Sequence, residues 1–229
     1  MAGIQKSFKR AFTAFALLTG IALSPAGATG EMLIAGLPNA SEPLFGDQVA
    51  PTVGAALMCG RELQKDPFCV GVAAYRPLKL TEAALKLIDT VNRAVNTEIE
   101  PVDDMVQWRV PEKWSRPARA ADGHLQDDCD GYVIEKWYRL VREGGLSAEA
   151  FYPLYAEVPA MGGHLVLAVD TDHGTYILDN LHEALVPMQN FAFTYLKRPT
   201  PGQRLEGVWE KYLDWGRTLT SASNLSAAH

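Results

Sequence analysis

The stretch that most constrains the fold is "GGHLVLAVDTDHGTYILDNL", residues 162–181. Two apolar runs, "HLVLAVD" and "TYILDNL", flank the polar segment "TDHG", whose glycine closes a tight turn. Runs of that composition, so closely spaced, read as an antiparallel hairpin. If Asp170 pairs with Thr175, Val166 lies opposite Asp179 and His164 lies opposite Leu181. His164 and Asp179 are then diagonal neighbours, about 7–8 Å apart at Cα and within side-chain reach. A slip of two residues makes them directly opposite, and a slip of one separates them. Within reach, the carboxylate orients the imidazole and holds its tautomer, as in a nucleophile–base–orienter triad.

The nucleophile is sought among three cysteines, Cys59, Cys69 and Cys129, whose redox state depends on the compartment. Lys6, Lys9 and Arg10 precede the apolar run Ala11 to Leu23, and Ala26 and Ala28 form a small-x-small cleavage site. Residues 1–28 therefore read as a signal peptide, the apolar run being too short and too abruptly ended for a membrane span. A periplasmic or secreted location follows, and with it an oxidising environment. Cys59 and Cys69 bracket the short polar loop "GRELQKDPF" and are expected to pair. Closing such a loop stabilises by about 3 kcal/mol on the chain-entropy estimate. That leaves Cys129 as the odd thiol, which in an exported protein is an oddity or a nucleophile. Asp127, Asp128 and Asp130 beside it argue for a solvent-facing loop rather than an inert buried cysteine.

Two helices precede the hairpin. "TEAALKLIDTVNRAVNTEI" sets Leu85, Ile88, Val91 or Asn92, Val95 and Ile99 on one face, with Thr81 as N-cap. A second helix is predicted from about Cys129 to Arg142, with Val133, Trp137, Leu140 and Val141 inward and Gly144–Gly145 as its stop. Residues 29–56 lack a period. Residues 101–128, with three prolines and two tryptophans, read as an irregular connection. "AFYPLYAEV" is a weak strand pattern because of Pro153, and further short strands are expected around "NFAFTYL". Helices first and an antiparallel sheet afterwards give an α+β domain over 29–215. The tail 216–229 has little to bury and is expected to be disordered.

Charge excludes one class of partner. Removing the three basic leader residues from 21 positive side chains leaves 18 against 27 negative ones, formally −9. Such a chain is no match for nucleic acid, and no segment beyond the leader is apolar enough to span a bilayer. His124, His173, His182 and His229 show no zinc-ligand spacing.

"DDCDGYVIEKWYRLVREGG" followed by "GGHLVLAVDTDHGTYILDNL" resembles the bacterial transglutaminase-like cysteine proteinases, which include periplasmic proteases that clip surface adhesins. The likeness runs from about residue 56 to 215 and takes in "NRAVNTEIEPVDD" and the Cys59/Cys69 pair. It implies a papain/transglutaminase-like fold with the catalytic cysteine at a helix N-terminus. Cys129, His164 and Asp179 match the family's three catalytic positions. The resemblance further implies a protein substrate, such as an adhesin, and a calcium ion among acidic residues at the nucleophile, here Asp128 and Asp130. A cation there offsets carboxylates that otherwise raise the thiol pKa. The same aspartates also read as a solvated loop and a helix N-cap. One departure is Gly131, where the family usually carries Asp; restoring Asp is expected to tighten calcium binding. For the oxyanion, the Cys129 amide and a donor from the aromatic connection, with Trp114 as candidate, are expected. Acyl transfer to an amine and a non-catalytic binding module are the rival readings.

Overall fold

In the computed structural model, which describes residues 43–60 and 65–213, the chain opens with strand β1 (Phe45–Val49) and helix α1 (Val53–Cys59). The leader and the tail read from the sequence lie outside the described residues. Regular structure at β1 and α1 departs from the aperiodic start expected there. Thr52 explains the helix, its hydroxyl accepting the Ala55 N–H at 3.2 Å as an N-cap. Cys59 and Cys69 form a disulfide across 5.4 Å at Cα. The longest helix, α2 (Glu82–Glu98), starts from Thr81, which caps Ala84, and buries Leu85, Ile88, Val91, Asn92 and Val95.

The connection read as irregular contains β2 (Ile99–Pro101), the short helix α3 (Asp104–Gln107), β3 (Ala118–Arg119) and β4 (Leu125–Asp127). β4 is central in a small sheet, parallel to β2 and antiparallel to β3. The parallel pairing sets Pro101 opposite Asp127 and so brings α3 beside the start of α4 (Cys129–Trp137). A π-helical turn, Tyr138–Glu143, extends α4 until Gly144 caps it and Gly145 takes a positive φ of 70°.

The rest is sheet: β5 (Phe151–Val158), β6 (Gly162–Thr171), β7 (Gly174–Leu178), β8 (Val186–Pro187), β9 (Tyr195–Pro199) and β10 (Trp209–Tyr212). With β1 they form seven antiparallel strands in the order β1-β10-β9-β5-β6-β7-β8. β5 is a full central strand despite Pro153. The proline pairs with Leu167 on the β6 side, while β9 engages β5 only from Tyr155 onward, so the missing N–H interrupts no ladder there. β6 is buried on both faces. Leu165, Leu167 and Val169 pack with Ile88 and Val95 of α2 and Val133 of α4, whereas Val166 and Ala168 join Leu154, Ile177 and Met188 on the other side. Burial on both faces accounts for the unbroken apolar run in β6. The architecture is α+β, helices against an antiparallel sheet.

Candidate active site

The first turn of α4 carries the only free cysteine among the described residues, Cys129, half-buried at the N-terminus of the helix. Asp128 is the N-cap, its carboxylate accepting the Asp130 N–H at 3.3 Å. Burial pushes the Cys129 thiol well above its ordinary range. Asp128 adds to that rise, as do Asp130 and Glu112, and a hydrogen bond from the Leu165 backbone works against it. Burial and the negative surroundings together disfavour the thiolate here.

Opposite, β6 and β7 pair with Asp170 against Thr175, and the ladder runs to Leu167 against Leu178. Asp179 is the next residue, and its Oδ1 lies 2.8 Å from His164 Nε2. Both side chains are buried, at 5% and 1% exposure. Burial alone would raise the Asp179 carboxyl, but His164, the Leu181 N–H and His182 hold it down at about 2. An ionised carboxylate only accepts, so the proton of a neutral His164 sits on Nε2 and Nδ1 is left as the acceptor. A cleft of about 450 Å³ is lined by Cys129, His164, Trp114, Glu112, Tyr155 and Lys197, among others.

Trp114 stands in the cleft wall, 5% exposed and edge-on to Trp209 at 6.4 Å between ring centroids. Its side chain hydrogen-bonds Glu112, whose carboxyl is raised by burial despite that bond. The Trp114 indole thus faces Glu112 in the cleft wall.

The acidic residues divide into two groups. Asp104, Asp127 and Asp128 each offer an oxygen, all within 4.8 Å of one another. Asp130 does not join them; its Oδ1 accepts the Ser115 N–H at 3.1 Å, which turns it to the connection preceding β3. Asp104 is 2% exposed, one oxygen taking the Lys113 N–H and the other, Oδ1, buried without a hydrogen-bond partner. Asp127, fully buried, is pushed up to about 7, chiefly by burial and then by Asp128 and Asp104. Only oxygen donors, one of them orphaned, suit a hard cation such as calcium. Gly131 is explained by the same cluster. A Cβ there would lie 2.3 Å from Cβ and Cγ of Asp127, so the helix accepts no side chain at this position without displacing Asp127. An Asp at 131 therefore does not simply add a ligand.

Three groups escaped the sequence reading. Asp104 reaches the cluster through the β2–β4 pairing, a contact across 26 residues for which only the run "PVDD" hinted. His182 Nδ1 meets Asp179 Oδ2 at 2.9 Å. Lys136 lies in α4, 0% exposed, its Nζ without a hydrogen-bond partner and its pKa lowered by burial to about 7 against the pull of Asp179.

No curated protein matches the chain. Two solved structures of Legionella pneumophila LapG align at low similarity. The calcium-bound form has 21% identity and a TM-score of 0.41 over 54% of this chain and 67% of that one. A second LapG structure has 18% identity and a TM-score of 0.38 over 62% and 76%. The model of one protein family, the bacterial transglutaminase-like cysteine proteinases, matches residues 46–214. By that match across most of its length, the chain belongs to the bacterial transglutaminase-like cysteine proteinases and is a cysteine peptidase.

Proposed function

We propose that this peptidase is exported to the periplasm or the medium and hydrolyses a peptide bond in a secreted or outer-membrane protein through Cys129, His164 and Asp179. The observation that carries the reading is the 2.8 Å bond between His164 and Asp179, both buried, with His164 in the wall of the cleft that Cys129 also lines. Nδ1 of His164 takes the thiol proton as Cys129 Sγ adds to the scissile carbonyl carbon. The oxyanion is met by the Cys129 N–H, a first-turn amide with no helix carbonyl to bond. The C–N bond breaks as Nδ1–H gives its proton to the amine, leaving a thioester. Water then adds to the thioester, losing a proton to Nδ1, and the thiol leaves with that proton. Asp179 stays ionised throughout and stabilises the imidazolium. The leader supports export, and the family likeness supports an exposed, flexible segment of a surface adhesin as substrate.

Asp104, Asp127 and Asp128 would hold calcium, with Asp130 left on Ser115. Bound there, calcium supplies the positive charge that offsets Asp128 and restores thiolate character to Cys129. Iodoacetamide labelling of the mature protein tests the assignment without knowing the substrate. In calcium at neutral pH, Cys129 should label well ahead of free cysteine, and His164→Ala should bring it to the ordinary thiol rate. Labelling of the wild type at that ordinary rate in calcium would overturn the primed nucleophile. Incubation with an outer-membrane fraction should give new fragments, absent with Cys129→Ala; incorporation of an added amine in place of hydrolysis would instead assign acyl transfer.

A further inference from the structure

We propose that His182 is a positioning residue that locks the Asp179 carboxylate by its second oxygen and so keeps the first on His164; the proposal rests on the triad reading above. Asp179 Oδ1 accepts from His164 Nε2 at 2.8 Å and from the Leu181 N–H at 3.1 Å, while Oδ2 accepts from His182 Nδ1 at 2.9 Å. A carboxylate gripped at one oxygen turns over a broad, soft torsion, since terminal sp³–sp² rotors have no sharp wells. Gripped at both, its plane is fixed.

The imidazole of His182 is itself held from behind. Its backbone carbonyl accepts from Asn92 Nδ2 at 3.3 Å and Asn96 Nδ2 at 3.1 Å. Asn92 also binds the Glu183 carbonyl at 2.9 Å, and Asn96 the Asp179 carbonyl at 2.9 Å. Two side chains of α2 thus pin the whole turn from 179 to 183, and the ring at 182 is set over the carboxylate by its backbone. Its side chain is 56% exposed against 1% for Asp179, so the buried carboxylate takes its second-oxygen bond from a ring that itself reaches solvent. A water in its place would compete for the same oxygen and leave the plane free to swing.

The test compares four variants by the second-order rate of iodoacetamide labelling at Cys129, in fixed calcium: His182→Ala, His182→Asn, Asp179→Asn and the double change Asp179→Asn with His182→Ala. His182→Ala should slow labelling about tenfold, the scale of one charge-assisted hydrogen bond. His182→Asn carries an N–H donor at the same distance from the backbone and should restore the rate to within about twofold. The double variant should be no slower than Asp179→Asn, because His182 acts only through that carboxylate. The downfield proton resonance of His164 Nε2–H should be present in wild type and His182→Asn and broadened in His182→Ala. If Asp179→Asn slows labelling and His182→Ala does not, the triad stands and this inference fails. If Asp179→Asn itself labels at the wild-type rate, the triad reading fails and takes this inference with it.

Discussion

Replacing Lys136 by Met should make the protein much more stable, and by an amount that depends on pH. The lysine is 0% exposed, its Nζ has no hydrogen-bond partner, and burial lowers its pKa from 10.5 to about 7. Between those two values the unfolded chain holds a proton that the folded chain has given up, so wild-type stability must rise as pH climbs from 7 to 10. Each unit of that displacement is worth about 1.4 kcal/mol, which puts the penalty near 4 kcal/mol at pH 7 and below about 1 kcal/mol at pH 10. Methionine fills nearly the same volume with nothing to desolvate, so it should recover that penalty. For a domain of this size, about 4 kcal/mol corresponds to a rise of about 8–16 °C in Tm. Melting curves of both proteins at pH 7, 8, 9 and 10 would read it directly. The gap should be wide at pH 7 and close towards pH 10. Parallel curves, or a less stable Met variant at pH 7, would refute the reasoning and show that Lys136 remains charged and paired when folded.

Other consequences are separable. Asp127, raised to about 7, keeps its proton in the folded state where the unfolded chain has lost it, so stability in chelator should fall as pH rises from about 4 to 7. Asp127→Asn, or saturating calcium, should flatten that fall, and an unchanged slope in either melting series would contradict the cluster's strain. Gly131→Asp should destabilise by several kcal/mol and weaken calcium binding in a calorimetric titration, given the 2.3 Å approach to Asp127; tighter binding would show that Asp127 yields easily. Cys129→Ala should abolish peptide hydrolysis with Tm and circular dichroism preserved, and residual turnover near wild type would require another nucleophile. Reducing Cys59–Cys69 should cost about 3 kcal/mol in a denaturant titration, and no shift of the midpoint would mean that the packing around it suffices.

What could be read in advance was local. Thr81 caps its helix, Leu85 to Val95 face inward, and the Asp170–Thr175 register follows from a four-residue turn between patterned runs. That register was enough to suggest that His164 and Asp179 meet. The β1–α1 start was illegible because β1 depends on β10, a partner at the far end of the chain. β5 was undervalued because a proline's cost depends on which neighbour lies on its N–H side, a fact of sheet order and not of local pattern. The acidic cluster divides for a similar reason: Asp130 stands next to Cys129 in sequence, yet the backbone of Ser115 holds it, and Asp104 joins Asp127 and Asp128 from the neighbouring strand's extension. His182 was visible only as an unspaced histidine, since its role arises from a turn pinned by α2.

The pairing of β1 with β10 sets a clock on the protein's maturation. Phe45 lies opposite Tyr212, a loop closure spanning nearly the whole domain, and such contacts are late because so much chain must be ordered before they repay it. Pro51, Thr52 and Val53, just after β1, line the cleft, and Lys197 of β9 binds the carbonyls of Ala50 and Pro51 at 3.0 and 3.3 Å. One lip of the cleft is thus attached to the first strand, which docks onto the last. That lip is complete only once residue 212 has joined the sheet, so the cleft is among the last features of the domain to form.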